Sequence, residues 1–117
     1  MTVPPFDSHA VTYLGAARVT LVGELDLDTA PCVWKSVAAC LAEQPKSLRL
    51  DLTDVCFCDC AGVNALLGAR RSVLRAGVEL VVEGIGPQLA RLLDLIGASD
   101  ILLEGHVAVA TVPARLG

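Results

Sequence analysis

Between Val11 and Gly97 the spacing of apolar residues switches repeatedly between every second position and every third or fourth. That switching constrains the fold more than any other feature of the chain. Leu48, Leu50 and Leu52 alternate with Arg49 and Asp51, the period of a strand with one buried face. Before them, Ala30, Val33, Trp34, Val37, Ala38 and Leu41 recur at helical spacing, with Asp28 or Thr29 as the expected cap, Pro31 in the first turn and a stop near Gln44-Pro45. After them, Val55-Cys56-Phe57-Cys58 leads to a turn at Asp59. Val63, Leu66, Leu67, Val73 and Leu74 then predict a second helix that runs to Gly77. Val78 to Val82 reads as another strand, and Pro87 to Gly97 as a third helix. Two short β-branched segments, Val11 to Leu14 and Arg18 to Val22, joined at Gly15-Ala16, predict an opening hairpin. Strands alternating with helices imply a layered α/β fold, and the hairpin makes its sheet mixed.

The 117 residues suffice for one domain and its core, and 54% apolar content excludes a disordered tail. Residues 1–9 read as an arm, 10–112 as the single domain and 113–117 as a tail; Ile101 to Leu103 and Val107 to Val112 are candidate further strands. A net charge of −4 with no basic cluster larger than Arg70-Arg71 argues against nucleic acid. Charged residues interrupt every apolar stretch well short of the ~20 residues that span a bilayer, so direct membrane insertion is not expected. No basic start or apolar segment marks the N-terminus for secretion. The expected location is the cytoplasm, and the odd set of five cysteines reads as reduced thiols.

The stretch DLTDVCFCDCAGVNALL, residues 51–67, carries the most information. It puts Asp59 and Cys60 at a helix N-terminus, where free N–H groups and the positive dipole end either receive a cap or bind an anion. Cys56, Cys58 and Cys60 alternate, which on an extended segment sets them on one side. Yet no CxxC pair exists and His9 and His106 stand apart, so packing is the simpler reading and no metal or cofactor is expected. Cys60 alone could act as a thiol sensor, given its place at a helix start. Glu24, Asp26 and Asp59 could serve acid–base chemistry if they converged, but no His, Lys or activated Ser accompanies them in a motif. On the second helix, Ala65, Gly68 and Ser72 fall within about 40° of Ala61, opposite Val63, Leu66, Leu67 and Leu74. With the leucine face on the sheet, Ala61, Ala65, Gly68 and Ser72 would form a shallow outward strip edged by Asn64, Arg71 and Arg75, open to a partner.

Four fragments in order and register resemble the STAS domain of bacterial anti-sigma factor antagonists: Gly23-Glu24-Leu25-Asp26 with Asp28-Thr29-Ala30-Pro31, then Asp51 to Gly62, then Glu83 to Pro87, then Leu92 to Gly97. The resemblance implies a small mixed sheet of four to five strands flanked by three to four helices, and no enzyme activity. It further implies binding to an anti-sigma factor of the serine kinase type, which frees the sigma factor. The family's Asp-Ser-Ser-Gly motif, whose second serine takes the phosphate that switches binding off, corresponds to Asp59-Cys60-Ala61-Gly62. Alanine has no hydroxyl, so Ala61 cannot receive the ~−2 charge of a phosphate, and the off-switch is missing: either the partner is bound constitutively or it is not a kinase of that type. On this reading the second helix's N-terminus and the Asp26 loop bind the partner, through Asp26, Asp59, Cys60, Ala61, Gly62, Asn64, Ala65, Gly68, Arg71 and Ser72. The competing implication is a STAS subunit docked on an ABC-type transporter ATPase, which needs no phosphorylation.

Overall fold

The computed structural model describes residues 5–98. Its elements follow the order β1 (Asp7–Tyr13), β2 (Ala16–Leu25), α1 (Ala30–Ala42), β3 (Ser47–Cys58), α2 (Cys60–Arg75), β4 (Glu79–Glu83) and α3 (Pro87–Leu95). The four strands lie in sequence order, β1 antiparallel to β2 and the other pairs parallel. This is the mixed α/β architecture expected, with four strands and three helices among the described residues. The candidate strands at 101–103 and 107–112 and the tail at 113–117 lie outside them.

The hairpin turns on Leu14 and Gly15, at φ of 51° and 82°. Two positive φ values in a two-residue loop match the right-handed twist of the flanking strands, and glycine supplies one of them without strain. Strand β1 starts at Asp7, inside the stretch read as an arm, because Ser8 and its neighbours continue the ladder to Leu21 and Val22.

Each parallel crossover is right-handed by the ordinary rule, and both β2–α1–β3 and β3–α2–β4 step the same way across the sheet. Both helices therefore cover one face: α1 packs on β1 and β2, α2 on β3 and β4, and the two pack against each other. The core fills this layer with Val19, Leu21, Leu25, Leu48, Leu50, Leu52, Val63, Leu66 and Val73, all buried. Such side chains each contribute roughly 1.5–3 kcal/mol. The opposite face carries charge across the strands: Arg18 Nη2 lies 3.1 Å from Glu83 Oε1, and Arg49 Nη1 3.2 Å from Glu83 Oε2.

Helix α1 buries Ala30, Val33, Val37 and Cys40, while Trp34 and Ala38 are exposed. The expected face is thus rotated, since Trp34 lies toward α2 rather than the sheet. The cap also differs. Thr29 is the N-cap residue but makes no side-chain capping bond; its hydroxyl turns back to the Glu24 carbonyl at 3.0 Å.

Candidate functional site

Strands β2 and β3 end side by side, and their C-terminal ends hold the loop before α1 and the start of α2. The register explains how. Strand β3 carries extra residues opposite Thr20/Val22 and Gly23/Glu24. Each extra residue reverses the in–out alternation. The inward parity of Leu48, Leu50 and Leu52 therefore passes to half-buried Val55 and returns at buried Cys58. For this reason Cys56, Cys58 and Cys60 do not share a side: Cys58 is buried, while Cys56 and Cys60 are exposed. Burial first, then the nearby Asp59 and Cys60, pushes the Cys58 thiol up to about 12 and keeps it protonated.

Asp59 caps α2. With φ −105° and ψ −173° it sits in extended backbone, and its Oδ1 accepts the Gly62 N–H at 2.9 Å. Its own N–H donates to the Leu25 carbonyl at 3.1 Å, which joins the end of β2 to the start of α2. Gly62 is buried and fills a structural role: a Cβ there would lie 2.5 Å from the Leu25 carbonyl oxygen and 2.7 Å from Cys58 Sγ. Asp26 performs the matching task before α1, its Oδ1 accepting the N–H groups of Asp28 at 3.0 Å and Thr29 at 3.1 Å. The two carboxylates each bind the backbone of their own loop and do not meet.

A residue that the sequence reading passed over completes the scaffold. Gln88, in the first turn of α3, accepts the Cys58 N–H at 3.0 Å and donates to the Cys58 carbonyl at 2.9 Å. This two-point amide clasp fixes the end of β3, from which α2 springs. Pro87, the leucine spacing at 89, 92 and 93 and the Gly97 stop mark a helix there, but nothing in the pattern points to the clasp.

The faces of α2 need correction. Ala65 is fully buried and Ala69 with it, so they belong to the seam between α2, the sheet and α1. Gly68 is half-buried under Trp34, whose Nε1 would lie 3.5 Å from a Cβ at that position. Ala65 and Gly68 are small where two helices pack closely, so the row from Ala61 to Ser72 is not one continuous outward strip. Leu74, expected on the sheet, is exposed. What α2 presents outward is Cys60, Asn64, Arg71 and Ser72, with Ala61 half-exposed in its first turn. Two exposed apolar side chains that the sequence reading did not single out stand at the C-terminal ends of β2 and β3, Leu27 at 73% and Phe57 at 43% exposure. Leu27 follows β2 and Phe57 precedes Cys58, so both lie at the same end as Ala61.

Comparison with known proteins agrees with this architecture. The chain is 34% identical over 84 residues to the anti-sigma-B factor antagonist of Listeria monocytogenes, spanning 72% of this chain and 74% of that protein. It is 34% identical over 85 residues to the protein of the same name from Bacillus subtilis, spanning 73% and 77%. The crystal structure of an anti-sigma factor antagonist from Mycobacterium paratuberculosis superposes with a TM-score of 0.68 at 25% identity, over 91% of this chain and 95% of that one. The model of the STAS domain matches residues 8–111, and with the sheet order, the capped second helix and these relatives it establishes that the chain belongs to the STAS domain family.

Proposed function

We propose that this protein is a cytoplasmic, non-enzymatic anti-sigma factor antagonist that docks an anti-sigma factor of the serine kinase type, and that its binding is not switched off by phosphorylation. The docking surface is the head of α2 with the Asp26 loop, comprising Cys60, Ala61 and Asn64 with Leu27 and Phe57 at the neighbouring strand ends, and it extends along the helix to Arg71. The relatives' names support the partner class. The observation that carries the second half is Ala61 in the first turn of α2, two residues past the Asp59 cap and without a hydroxyl. A phosphate at that position would face little resistance from the fold, because negative charge is stabilised near a helix N-terminus. Its effect would fall on the partner, which would have to bury a dianion against a surface made for a methyl group.

Ala61→Asp tests the site. The variant should keep its melting temperature to within a few degrees and lose affinity for the anti-sigma factor by about 2–3 kcal/mol, roughly 30- to 150-fold. Unchanged affinity would place the interface elsewhere. Capture of a transporter ATPase in place of the anti-sigma factor would replace the partner class.

A further inference from the structure

The sheet begins at a free edge. Strand β1 is outermost, and among the described residues nothing pairs with its outer side. The hairpin geometry fixes which backbone groups point outward. Tyr13 and Ala16 flank the two-residue turn, so they form the closing pair that exchanges both hydrogen bonds. By alternation His9 and Val11 also direct their N–H and C=O groups to β2, while those of Ser8, Ala10 and Thr12 point away from the sheet. The Ser8 N–H confirms the direction: its bond, at 3.0 Å, is to the carboxylate of the adjacent Asp7.

Free edges of monomeric proteins are normally blunted by proline, lysine or a bulge. Asp7–Tyr13, with sequence DSHAVTY, has none of these, and its ladder to β2 is unbroken. Instead it exposes Val11 at 61% and Tyr13 at 72% on the open face of the sheet. On the helical face, Ala10 and Thr12 line an open groove with Ala39, Cys40 and Glu43 of α1.

We propose that β1 pairs with β1 of a second copy of this chain, antiparallel about a two-fold axis at Ala10, joining the two sheets into one. This register uses every outward group. Ala10 exchanges both bonds with Ala10 of the second copy, and Ser8 does so with Thr12 in both senses. Neighbours then complement each other: Tyr13 comes opposite Asp7, whose carboxylate is released from the Ser8 N–H and can accept the phenol, and Val11 comes opposite His9. Strands ~4.8 Å apart set the two α1 helices, each lying over β1 and β2, about 10 Å apart, an ordinary helix-packing distance. The helices cross at the small residue Ala39. Four residues to either side, Glu43 of one copy stands level with Lys35 of the other, so the charges across the groove are complementary. An axis at Ser8 or Thr12 leaves outward groups of the same strand unpaired. Because α2 packs on the far side of α1 from β1, both α2 heads stay free, and the dimer is bivalent for its partner.

The test is sedimentation velocity of the full chain across a wide concentration range, together with amide exchange at Ser8, Ala10 and Thr12. The expected result is a species of twice the chain mass, with protection of these three amides that rises with concentration. Ala10→Pro removes an outward N–H that the monomer does not use, and Ala39→Arg fills the helix crossing from an exposed position; each should weaken dimerisation at least ten-fold while the far-UV circular dichroism is kept. Lys35→Glu should weaken it and Glu43→Lys, added to the same chain, should restore it. If Ala10→Pro fails to fold, Ala39→Arg decides. A wild-type chain that stays monomeric at millimolar concentration would overturn the proposal, as would a wild-type-like dimer in the folded variants. Protection independent of concentration would overturn it too, in favour of a cover from the chain's own ends.

Discussion

Two glycines of the same helix should respond to the same mutation with opposite signs. At Gly62, an alanine Cβ would stand 2.5 Å from the Leu25 carbonyl oxygen, 2.7 Å from Cys58 Sγ and 2.9 Å from Leu25 Cγ. The carbonyl cannot retreat cheaply, because it accepts the Asp59 N–H that ties β2 to the start of α2. Overpacking of this kind costs about 1–3 kcal/mol after partial relaxation. At Gly68 the nearest contact, Trp34 Nε1 at 3.5 Å, is ordinary van der Waals packing. There the replacement should add up to ~1 kcal/mol, the difference between glycine and alanine inside a helix. With an unfolding entropy near 2.1 cal/mol/K per residue, 117 residues give ~0.25 kcal/mol/K, so 1 kcal/mol shifts Tm by about 4 °C. Gly62→Ala should therefore lower Tm by about 4–12 °C, and Gly68→Ala should raise it by up to ~4 °C in the same thermal scan. A Gly62→Ala protein as stable as wild type would refute the close approach of α2 to β2, and a strongly destabilised Gly68→Ala protein would put Gly68 in the core.

Asp59→Ala should cost about 1 kcal/mol of stability in urea titration and Asp59→Asn much less, since asparagine retains an acceptor for the Gly62 N–H. A maleimide or iodoacetamide time course at pH 8 should label Cys56 and Cys60 quickly. Cys58, held protonated by its burial, should react only after denaturant is added. The Asp51 carboxyl is held below its ordinary value chiefly by the Thr53 hydroxyl at 2.6 Å and the Thr53 N–H at 3.0 Å. A carboxylate with a depressed folded pKa stabilises above its unfolded value, near 4, and loses that contribution as pH falls through the folded one. The stability difference between wild type and Thr53→Val, ~1 kcal/mol at pH 7, should thus close as pH drops below about 4.

The layer architecture was legible because it depends on period. Leu48, Leu50 and Leu52 alternate as a strand must, and Val63, Leu66 and Val73 recur as a helix must, so the order of elements follows from local pattern alone. The faces of the helices were less legible, because a run of small residues has two physical meanings. Ala61, Ala65 and Gly68 look alike on a wheel whether they are exposed to a partner or pressed under another helix, and only the packing of Trp34 across α2 separates the cases. The cysteines misled for a related reason. Alternation from Cys56 to Cys60 assumes an unbroken strand, and the extra residues of β3 change parity in a way that depends on the neighbouring strand β2. Long-range contacts such as the clasp of Gln88 on Cys58, 30 residues apart, leave no periodic trace at all. The motif at the head of α2 was readable since its parts are local: the Asp59 cap, the Gly62 amide it binds and Ala61 between them.

Intact-mass spectrometry of the protein incubated with its anti-sigma factor and ATP is the sharpest test of the proposed docking surface at the head of α2 and of its indifference to phosphorylation. The expected result is an unmodified mass with the complex still intact, and a gain of one phosphate, with dissociation, for Ala61→Ser under the same conditions. A phosphopeptide from residues 55–70 of the wild-type protein, or an ATP-dependent loss of its complex, would contradict it.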